Sequence, residues 1–575
     1  MTFAVRTLVL GLVLMVLVLP AAVAAKGGPP EGAADRAQTT EIQILGLNDF
    51  HGALEPPAGS AGRIGGTEAA GNAGGVEYLA THVRALRETN QNTLFVSAGD
   101  LIGATPLLSA LFHDEPSIEA HNLMGLDFNG VGNHEFDEGV DELLRMQNGG
   151  CHPVDGCQDG DPFGGADFEF LAANVKYETN GETIFPPYAI RKFQGGGIKV
   201  AIVGMTLEGT PSIVSPGGIA AVNFFDEADT VNALVPELKK QGVETIIVLL
   251  HEGGVTSNPL NPTTINECGT LSGALPPIVE RMDDEIDVVV TGHTNWAVNC
   301  VIDGKIVTGA ASNGRLITDI DLTVSRATKD VVGATVNNRI VTRTVEKAPD
   351  LTALIAEYQV FAAPIANRVI GSITADITRT NNLAGESALG DVIADAQLAA
   401  TDDPGLGDAV AAFMNPGGIR ADFTFPSSTA GEGDGNVTYG EMFTVQPFGN
   451  SMVTMTLTGA QIERLLEEQF APCTFPSNRI LQVSDGFEYT WKASGGTCDK
   501  VDPTTIEIGG VAVVPTASYR VTVNSFLAEG GDSFPVLTLG TSRLGGEVDT
   551  DALEKYFVAN SPVSPGPQNR ITRIP

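Results

Sequence analysis

Five apolar runs in this sequence end in side chains of the metal-ligand type. "EIQILGLNDFH" ends in Asp49 and His51, "TLFVSAGD" in Asp100, and "FNGVGNHEFD" in Asn133, His134 and Asp137. "TIIVLLH" ends in His251, and "VVVTGHTN" in His293 and Asn295. One such ending is ordinarily a turn residue. Five in one stretch of chain, all drawn from Asp, Asn and His, point to a shared site. Asp100 is the natural bridge between two cations, because a carboxylate offers two oxygens. Asp49 and His51, two positions apart, project to the same side of an extended chain and can serve one ion. Asn133, His251 and His293 can serve the other. Mixed nitrogen and oxygen donors suit zinc or manganese better than calcium. Two such ions about 3.5–4 Å apart hold a hydroxide for attack and stabilise the equatorial oxygens of a phosphoryl group. Asn295 stays open at this level: a ligand, a weakened histidine, or a turn residue.

These residues need elements to bring them together. Strand-like runs ("IQILGL", "TLFVSAG", "FNGVGN", "KVAIVGM", "TIIVLL", "VVVTG") alternate with helical spacing in "VEYLATHVRALRE" and "VNALVPELKKQG". The alternation predicts an α/β domain over residues 41–345 with buried, largely parallel strands. The C-terminal ends of parallel strands line up along one edge, where ligand sites form. Residues 346–370, around "DLTALIAEYQVFAAPIANRVI", read as a linker helix. From 371 to 575 the pattern becomes α+β, with "GDVIADAQLAA" and "TGAQIERLLEEQF" as helices and "SMVTMTLT" and "YRVTVNS" as strands.

The segments "NDFHG" (48–52), "GD" (99–100), "GNHEFD" (132–137), "HEGG" (251–254) and "GHTN" (292–295), in this order, resemble the calcineurin-like metallophosphoesterases, and within them the 5′-nucleotidase family. The resemblance implies a four-layer α/β/β/α first domain joined by a helix to a substrate-binding second domain. It implies two divalent ions, zinc or manganese first, with magnesium, cobalt or calcium as alternatives. Asp49, His51, Asp100 and Asn295 would hold one ion; Asp100, Asn133, His251 and His293 would hold the other. An amide-bearing residue is common at the position of Asn295 in that family. His134 looks like the family's catalytic histidine, paired with Asp137. An imidazolium oriented by a carboxylate stabilises charge on a transferring phosphate and helps the leaving oxygen depart. The other histidines, His82, His113, His121 and His152, lack this setting and read as surface or helix residues.

In the second domain "NPGGIR" (415–420), "PFGN" (447–450) and "SFLAEGGDSF" (525–534) resemble the nucleotidase C-terminal domain. The resemblance implies that Phe448 and Phe526 stack on a nucleobase, as aromatic faces do. It puts Arg420 on phosphate or ribose and Asn415 and Asp532 on polar groups of base or ribose. Two departures bear on specificity. Pro416 stands where that family often has glycine, which removes a backbone N–H. The arginine often found just before the helix beginning near Gly390 is displaced here to Arg379.

Composition sets the remaining bounds. A net charge of -37 repels a polynucleotide backbone, which excludes long nucleic acid as a partner. Small phosphorylated substrates remain compatible, since a local metal or arginine cluster outweighs the global field. Residues 1–25 read as a signal peptide: Arg6, the apolar "TLVLGLVLMVLVLP", then the small residues of "AAVAAKGG" with a cut after Ala24 or Ala25. Residues 26–40 read as a flexible leader. No later apolar stretch approaches the ~18 residues of a membrane span, so the cleaved chain is expected outside the cytoplasm without one. An even set of cysteines in an exported chain predicts disulfides between sequence neighbours: Cys151–Cys157, Cys268–Cys300 and Cys473–Cys498. The expected activity is release of phosphate from nucleoside 5′-monophosphates, extending to UDP-sugars or nucleoside di- and triphosphates, by attack of a metal-bound hydroxide. A 2′,3′-cyclic-nucleotide phosphodiesterase with 3′-nucleotidase activity is the rival, and a catalytically inactive surface-binding protein is the alternative of another class. The chain is expected as a monomer or homodimer.

Overall fold

The structure, a computed structural model, describes residues 38–575 apart from 58, 66–71, 194, 196, 213, 215, 427–430 and 475–476. The expected signal peptide and residues 26–37 of the expected leader lie outside the described residues.

The first four strands, β1 (Thr39–Leu47), β2 (Thr93–Ser97), β3 (Phe128–Gly130) and β4 (Glu169–Leu171), are parallel neighbours. β1 begins inside the stretch read as leader, because Thr39 and Thr40 already pair with Ser325 and Val324. Six further strands build a second sheet: β5 (Tyr188–Phe193), β6 (Ile198–Thr206), β7 (Thr245–His251), β8 (Val288–Thr291), β9 (Ala297–Ile302) and β10 (Lys305–Ala310). Its spatial order is β9-β10-β8-β7-β6-β5. β11 (Leu316–Ser325) and β12 (Val331–Ile340) then return to the first sheet, which runs β12-β11-β1-β2-β3-β4. The first sheet is parallel from β1 to β4 and antiparallel from β1 through β11 to β12, and the second is parallel at its centre and antiparallel at both edges, so "largely parallel" holds for the strands that carry the expected site.

The sheets pack face to face. Ile42 and Ile44 of β1 meet the layer formed by Ile247 and Leu249 of β7. The odd positions of β1, Leu45 and Leu47, face α1 (Val76–Arg87), α2 (Glu115–Met124) and α3 (Val140–Asn148). The even positions of β7, Ile246 and Val248, face α4 (Glu227–Lys240) and α5 (Leu275–Arg281). Burial on both faces explains why such strands read as unbroken apolar runs. The result is the four-layer α/β/β/α arrangement. α6 (Pro349–Ala366) sends Leu351, Leu354, Ile355, Tyr358 and Ala362 into the first domain's core, and the Tyr358 hydroxyl donates to Glu119 at 3.0 Å.

The second domain centres on a five-stranded sheet in which Ala411–Met414 is parallel to Ser518–Asn524, with Ser451–Thr458 on the other side. α7 (Ala388–Ala399) covers one apolar cluster and α8 (Gly459–Glu468) another. α8 starts at a capping box between Thr458 and Gln461, which satisfies two donors of its first turn. The three disulfides join the expected neighbours, with Cα separations of 4.7 Å for Cys151–Cys157, 4.6 Å for Cys268–Cys300 and 5.1 Å for Cys473–Cys498. Among the described residues, no helix is long and apolar enough to cross a membrane.

Candidate active site

Register brings the strand ends level. Leu47 of β1 pairs with Ser97 of β2, which pairs with Asn129 of β3, so Asp49, Asp100 and Asn133 leave the first sheet at one edge. In the second sheet Leu250 of β7 pairs with Thr291 of β8, so His251 and His293 leave at the matching edge. The glycines before these residues are packing requirements. A Cβ on Gly132 would lie 2.2 Å from Oδ1 of Asp100, and one on Gly292 2.9 Å from Nδ1 of His251. Asp49, His51, Asp100, His293 and Asn295 all take positive φ, between 47° and 69°. Left-handed backbone in non-glycine residues costs about 1–3 kcal/mol each and gathers at functional sites.

The donor atoms converge. Oδ2 of Asp100 lies 3.1 Å from Nε2 of His251 and 3.8 Å from Nε2 of His51. Oδ1 of Asn133 lies 3.1 Å from Nε2 of His251 and 2.9 Å from Nδ1 of His293. Oδ1 of Asp49 lies 4.0 Å from Nε2 of His51. Two backbone carbonyls orient the rings: Nδ1 of His51 faces Gly103 O at 2.9 Å, and Nδ1 of His251 faces Ala98 O at 2.7 Å. Donation there turns each Nε2 toward the centre, the usual orientation around a metal; on His251, burial is outweighed by the charges of Asp100 and Asp49, which push it up to about 10. Asp100, His251 and His293 offer ligand atoms within 4.8 Å of one another, as do His51, Asp100 and His134. Asp100 belongs to both groups.

Electrostatics favour a cation. Asp49, Asp100 and Glu135 are all buried. Burial drives the Asp49 and Glu135 carboxyls upward. Burial works the same way on Asp100, but the fields of His251 and His134 overcome it and hold that carboxyl well below its usual range. Burial lowers His51 to about 4 and His293 to about 3, so both are neutral imidazoles, the ligating form. Oδ1 of Asp49 is buried with no hydrogen-bond partner. An orphaned acceptor amid neutral imidazoles and carboxylates fits a divalent ion.

Asn295 stands apart. It is exposed, and its amide donates to the carbonyl of His293 at 3.3 Å, while no described contact ties it to Asp49, His51 or Asp100. His134 and Asp137 meet directly, Nδ1 to Oδ2, at 2.7 Å. Burial would lower His134, but the charges of Asp137 and Asp100 push it up to about 9, so it carries a proton at neutral pH.

Two residues that the sequence reading passed over fix this site. Asn48 donates from Nδ2 to Oδ2 of Asp49 and to Ala311 O, both at 2.5 Å, and accepts from the Ala310 N–H at 2.6 Å. Glu135 accepts from the backbone N–H groups of Asp100 (3.0 Å), Leu101 (2.9 Å) and Gly132 (2.7 Å). Both sit inside the quoted segments "NDFHG" and "GNHEFD", which was the available signal.

A cleft opens over His134, Asp137 and His293, and its opposite wall is the second domain: Asn415, Arg420, Phe448, Phe526 and Asp532. The Phe448 ring lies 6.0 Å from that of His134, at 16° to it, and the Arg420 guanidinium lies 5.8 Å from the Phe448 ring. Asn415 donates to Oδ2 of Asp532 at 2.8 Å and accepts from Asn524 at 2.9 Å, while Arg479 pairs with Oδ1 of Asp532. Asn524 and Arg479 had no signal in spacing. Pro416 opens a short 3-10 turn (Pro416–Gly418), a first-turn position where proline's fixed φ fits and its missing N–H matters least. Arg379 donates to Ile419 O at 3.2 Å and lies near enough to Arg420 to repel it. Of the histidines read as surface or helix residues, His121 is fully buried in α2, and His113 stacks on His152.

Residues 42–296 match the calcineurin-like phosphoesterase family and residues 369–539 match the 5′-nucleotidase C-terminal domain. The chain is 31% identical over 92% of its length to endonuclease YhcR of Bacillus subtilis, of which it spans 41%. It is 31% identical over 91% of its length to a cell wall protein of Listeria monocytogenes, of which it spans 67%. The solved structure of a 5′-nucleotidase precursor from Thermus thermophilus superposes with a TM-score of 0.72 at 24% identity, covering 93% of this chain and 99% of that one. With both halves present, in that order and on that fold, the chain belongs to the 5′-nucleotidase family of calcineurin-like metallophosphoesterases, a family of hydrolases.

Proposed function

We propose that this chain is an exported, metal-dependent 5′-nucleotidase that releases phosphate from nucleoside 5′-monophosphates. The observation that carries the reading is the cleft itself: a protonated His134 beside converging metal donors on one wall, and Phe448 with Arg420 on the other. Asp49, His51, Asp100 and Asn295 would hold one divalent ion and Asp100, Asn133, His251 and His293 the other, and such ions would supply positive charge and lower the pKa of water. The exposed amide of Asn295, which donates to the His293 carbonyl, would have to leave it to reach the first of them. Zinc or manganese suits these donors best.

The chain's own groups do the rest. Asp137 holds the His134 imidazolium toward the phosphoryl oxygens, where it offsets developing negative charge and assists departure of the ribose oxygen. Arg420, with Arg379 behind it, adds charge complementary to phosphate. Phe448 and Phe526 take the base between aromatic faces, and the Asn415–Asp532 pair, braced by Asn524 and Arg479, meets its polar edge or the ribose. Export is supported by the N-terminal sequence and by three disulfides, which persist in oxidising compartments. The endonuclease name of the Bacillus relative favours a second reading, cleavage of phosphodiesters such as 2′,3′-cyclic nucleotides.

Product analysis of AMP, UDP-glucose and 2′,3′-cyclic AMP after incubation with manganese or zinc, resolving nucleoside, nucleoside monophosphate and free phosphate, tests the assignment. AMP is expected to turn over fastest. Faster cleavage of the cyclic nucleotide promotes the second reading, and no turnover of any of the three overturns both.

A further inference from the structure

The turn that leads into α2 reaches back toward the metal donors. Residues 101–105 follow Asp100 in neither helix nor strand, and Gly103 and Ala104 both take positive φ, 76° and 51°. Such a segment is fixed from outside. At Leu101 the carbonyl accepts from the Gly52 N–H at 3.1 Å and from the Ser117 hydroxyl at 2.9 Å. Further along, one side chain holds two residues. Asp114 accepts from the Gly103 N–H at 2.9 Å through Oδ2 and from the Thr105 hydroxyl at 2.6 Å through Oδ1. Asp114 is buried and has a φ of 64°. It stands just before α2, where an aspartate ordinarily bonds the N–H groups of the first turn. Its carboxylate makes no such cap and faces the loop instead.

We propose that Asp114 is a positioning residue for the first of the two ions, acting through Gly103 on the imidazole of His51. The inference rests on the ligand set proposed above. The Gly103 carbonyl accepts from Nδ1 of His51 at 2.9 Å, the bond that turns Nε2 toward Asp49 and Asp100. Asp114 holds the N–H of the same glycine, so the carboxylate sets where that carbonyl stands and therefore how the ring is aimed. Gly103 also abuts the His134–Asp137 pair. A Cβ on it would lie 2.6 Å from the His134 carbonyl oxygen and 2.8 Å from Oδ2 of Asp137, so a shift of this glycine would be felt there as well. Partners behind a ligating histidine fix its tautomer and orientation, and losing one lowers metal affinity by about 10–100-fold.

The role is one of shape and hydrogen bonding, which separates it from a bulk effect of charge. Both donors to Asp114 are neutral. Asparagine can satisfy them too: its oxygen accepts from the Gly103 N–H, and its amide donates to the Thr105 hydroxyl, which also accepts. Asparagine tolerates left-handed backbone. Glycine tolerates it better still and removes both bonds without straining the turn. Thr105→Val removes one anchor of the carboxylate and keeps the methyl group that packs under Gly52, where a Cβ would lie 2.7 Å from Cγ2 of Thr105.

Calorimetric titration of the metal-free full chain with zinc, its disulfides intact, tests this. The visible absorption of the cobalt(II)-loaded protein reports the ligand geometry beside it. The parent is expected to bind two equivalents. Asp114→Gly is expected to bind one of them about tenfold more weakly and to change the cobalt spectrum. Asp114→Asn is expected to match the parent in both readouts, and Thr105→Val to shift affinity in the same direction as Asp114→Gly by less. A merely structural Asp114 would give a lower unfolding midpoint in metal-free Asp114→Gly with zinc affinity and cobalt spectrum unchanged, and that result would overturn the inference. So would an Asp114→Asn variant as weak as Asp114→Gly. A parent that binds fewer than two equivalents would instead overturn the ligand set on which the inference rests.

Discussion

Burial alone would strip the proton from His134; Asp137, at 2.7 Å, and Asp100 reverse that and raise it to about 9 from an ordinary 6.5. A raised value in the folded state means the proton is held more tightly there. The associated stability is fully present below about 6.5 and is lost as pH rises through about 9. If the imidazolium is the working form, the rate falls over that same upper limb. Asp137→Asn keeps a side chain of the same shape and removes the larger of the two charges. It is expected to move the basic limb of the pH–rate profile down by roughly one to two units, the effect of removing one close opposite charge. An unmoved limb would mean that another group sets it. Alanine substitutions separate the roles further. His134→Ala is expected to lower kcat by about 10²–10⁴, the range of a lost acid–base group, with bound metal unchanged. Asp100→Ala is expected to lose metal as well, because its carboxylate belongs to both ligand groups. Metal analysis beside phosphate release distinguishes the two outcomes.

At the scale of elements, the site is a meeting of strand ends, and this is why so much of it was legible. Parallel strands buried on both faces leave unbroken apolar runs, and whatever follows each run falls on one edge, so "LNDFH", "AGD" and "LLH" announced both the sheets and the polar side chains gathered at their ends. Strands β9 to β12 were not seen. β11, "LITDIDLTVS", alternates apolar and polar side chains, because the sheet's outer face at that edge is only partly covered, and it offers no such run. Long-range partners were also hidden. Nothing in the spacing of "GNHEFD" says that Glu135 reaches back over 34 and 35 positions to two backbone N–H groups. His113 and His152 looked unrelated because α3 and a disulfide loop bring them together only in the fold. Glu135 gives the prediction at this scale. Its carboxylate ties the loop after β2 to the loop after β3, and Glu135→Gln replaces one acceptor oxygen by a donor that faces N–H groups. The variant is expected to lose about 1–3 kcal/mol of stability, the cost of leaving buried donors unpaired, and to lose activity with it. Thermal unfolding checks this, and an unchanged midpoint would show that the loops hold their shape without the carboxylate.

At the scale of the molecule, the reaction is divided between halves with separate cores. The apolar clusters around the two sheets of the first half share no residue with those around α7 and α8. The buried side chains of α6 belong to the first half alone, so the joint between the halves lies beyond Ala366 rather than within the helix. Two cores of this size are two cooperative units, and two-state unfolding is not expected. Their ligands differ in reach. The proposed catalytic metals would touch only the first half, whereas a nucleotide bound in the cleft as proposed would touch His134 on one wall and Phe448 and Arg420 on the other. Binding stabilises only the unit that it touches, by about 2.7 kcal/mol at a hundredfold excess over Kd. Scanning calorimetry is therefore expected to show two transitions, with a chelator lowering one and leaving the other in place. AMP, added with metal to the slow His134→Ala variant so that it is not consumed, is expected to raise both. A single transition that moves as a whole with the chelator would mean that the halves unfold as one body, and the separation of base binding from metal binding would then lose its physical basis.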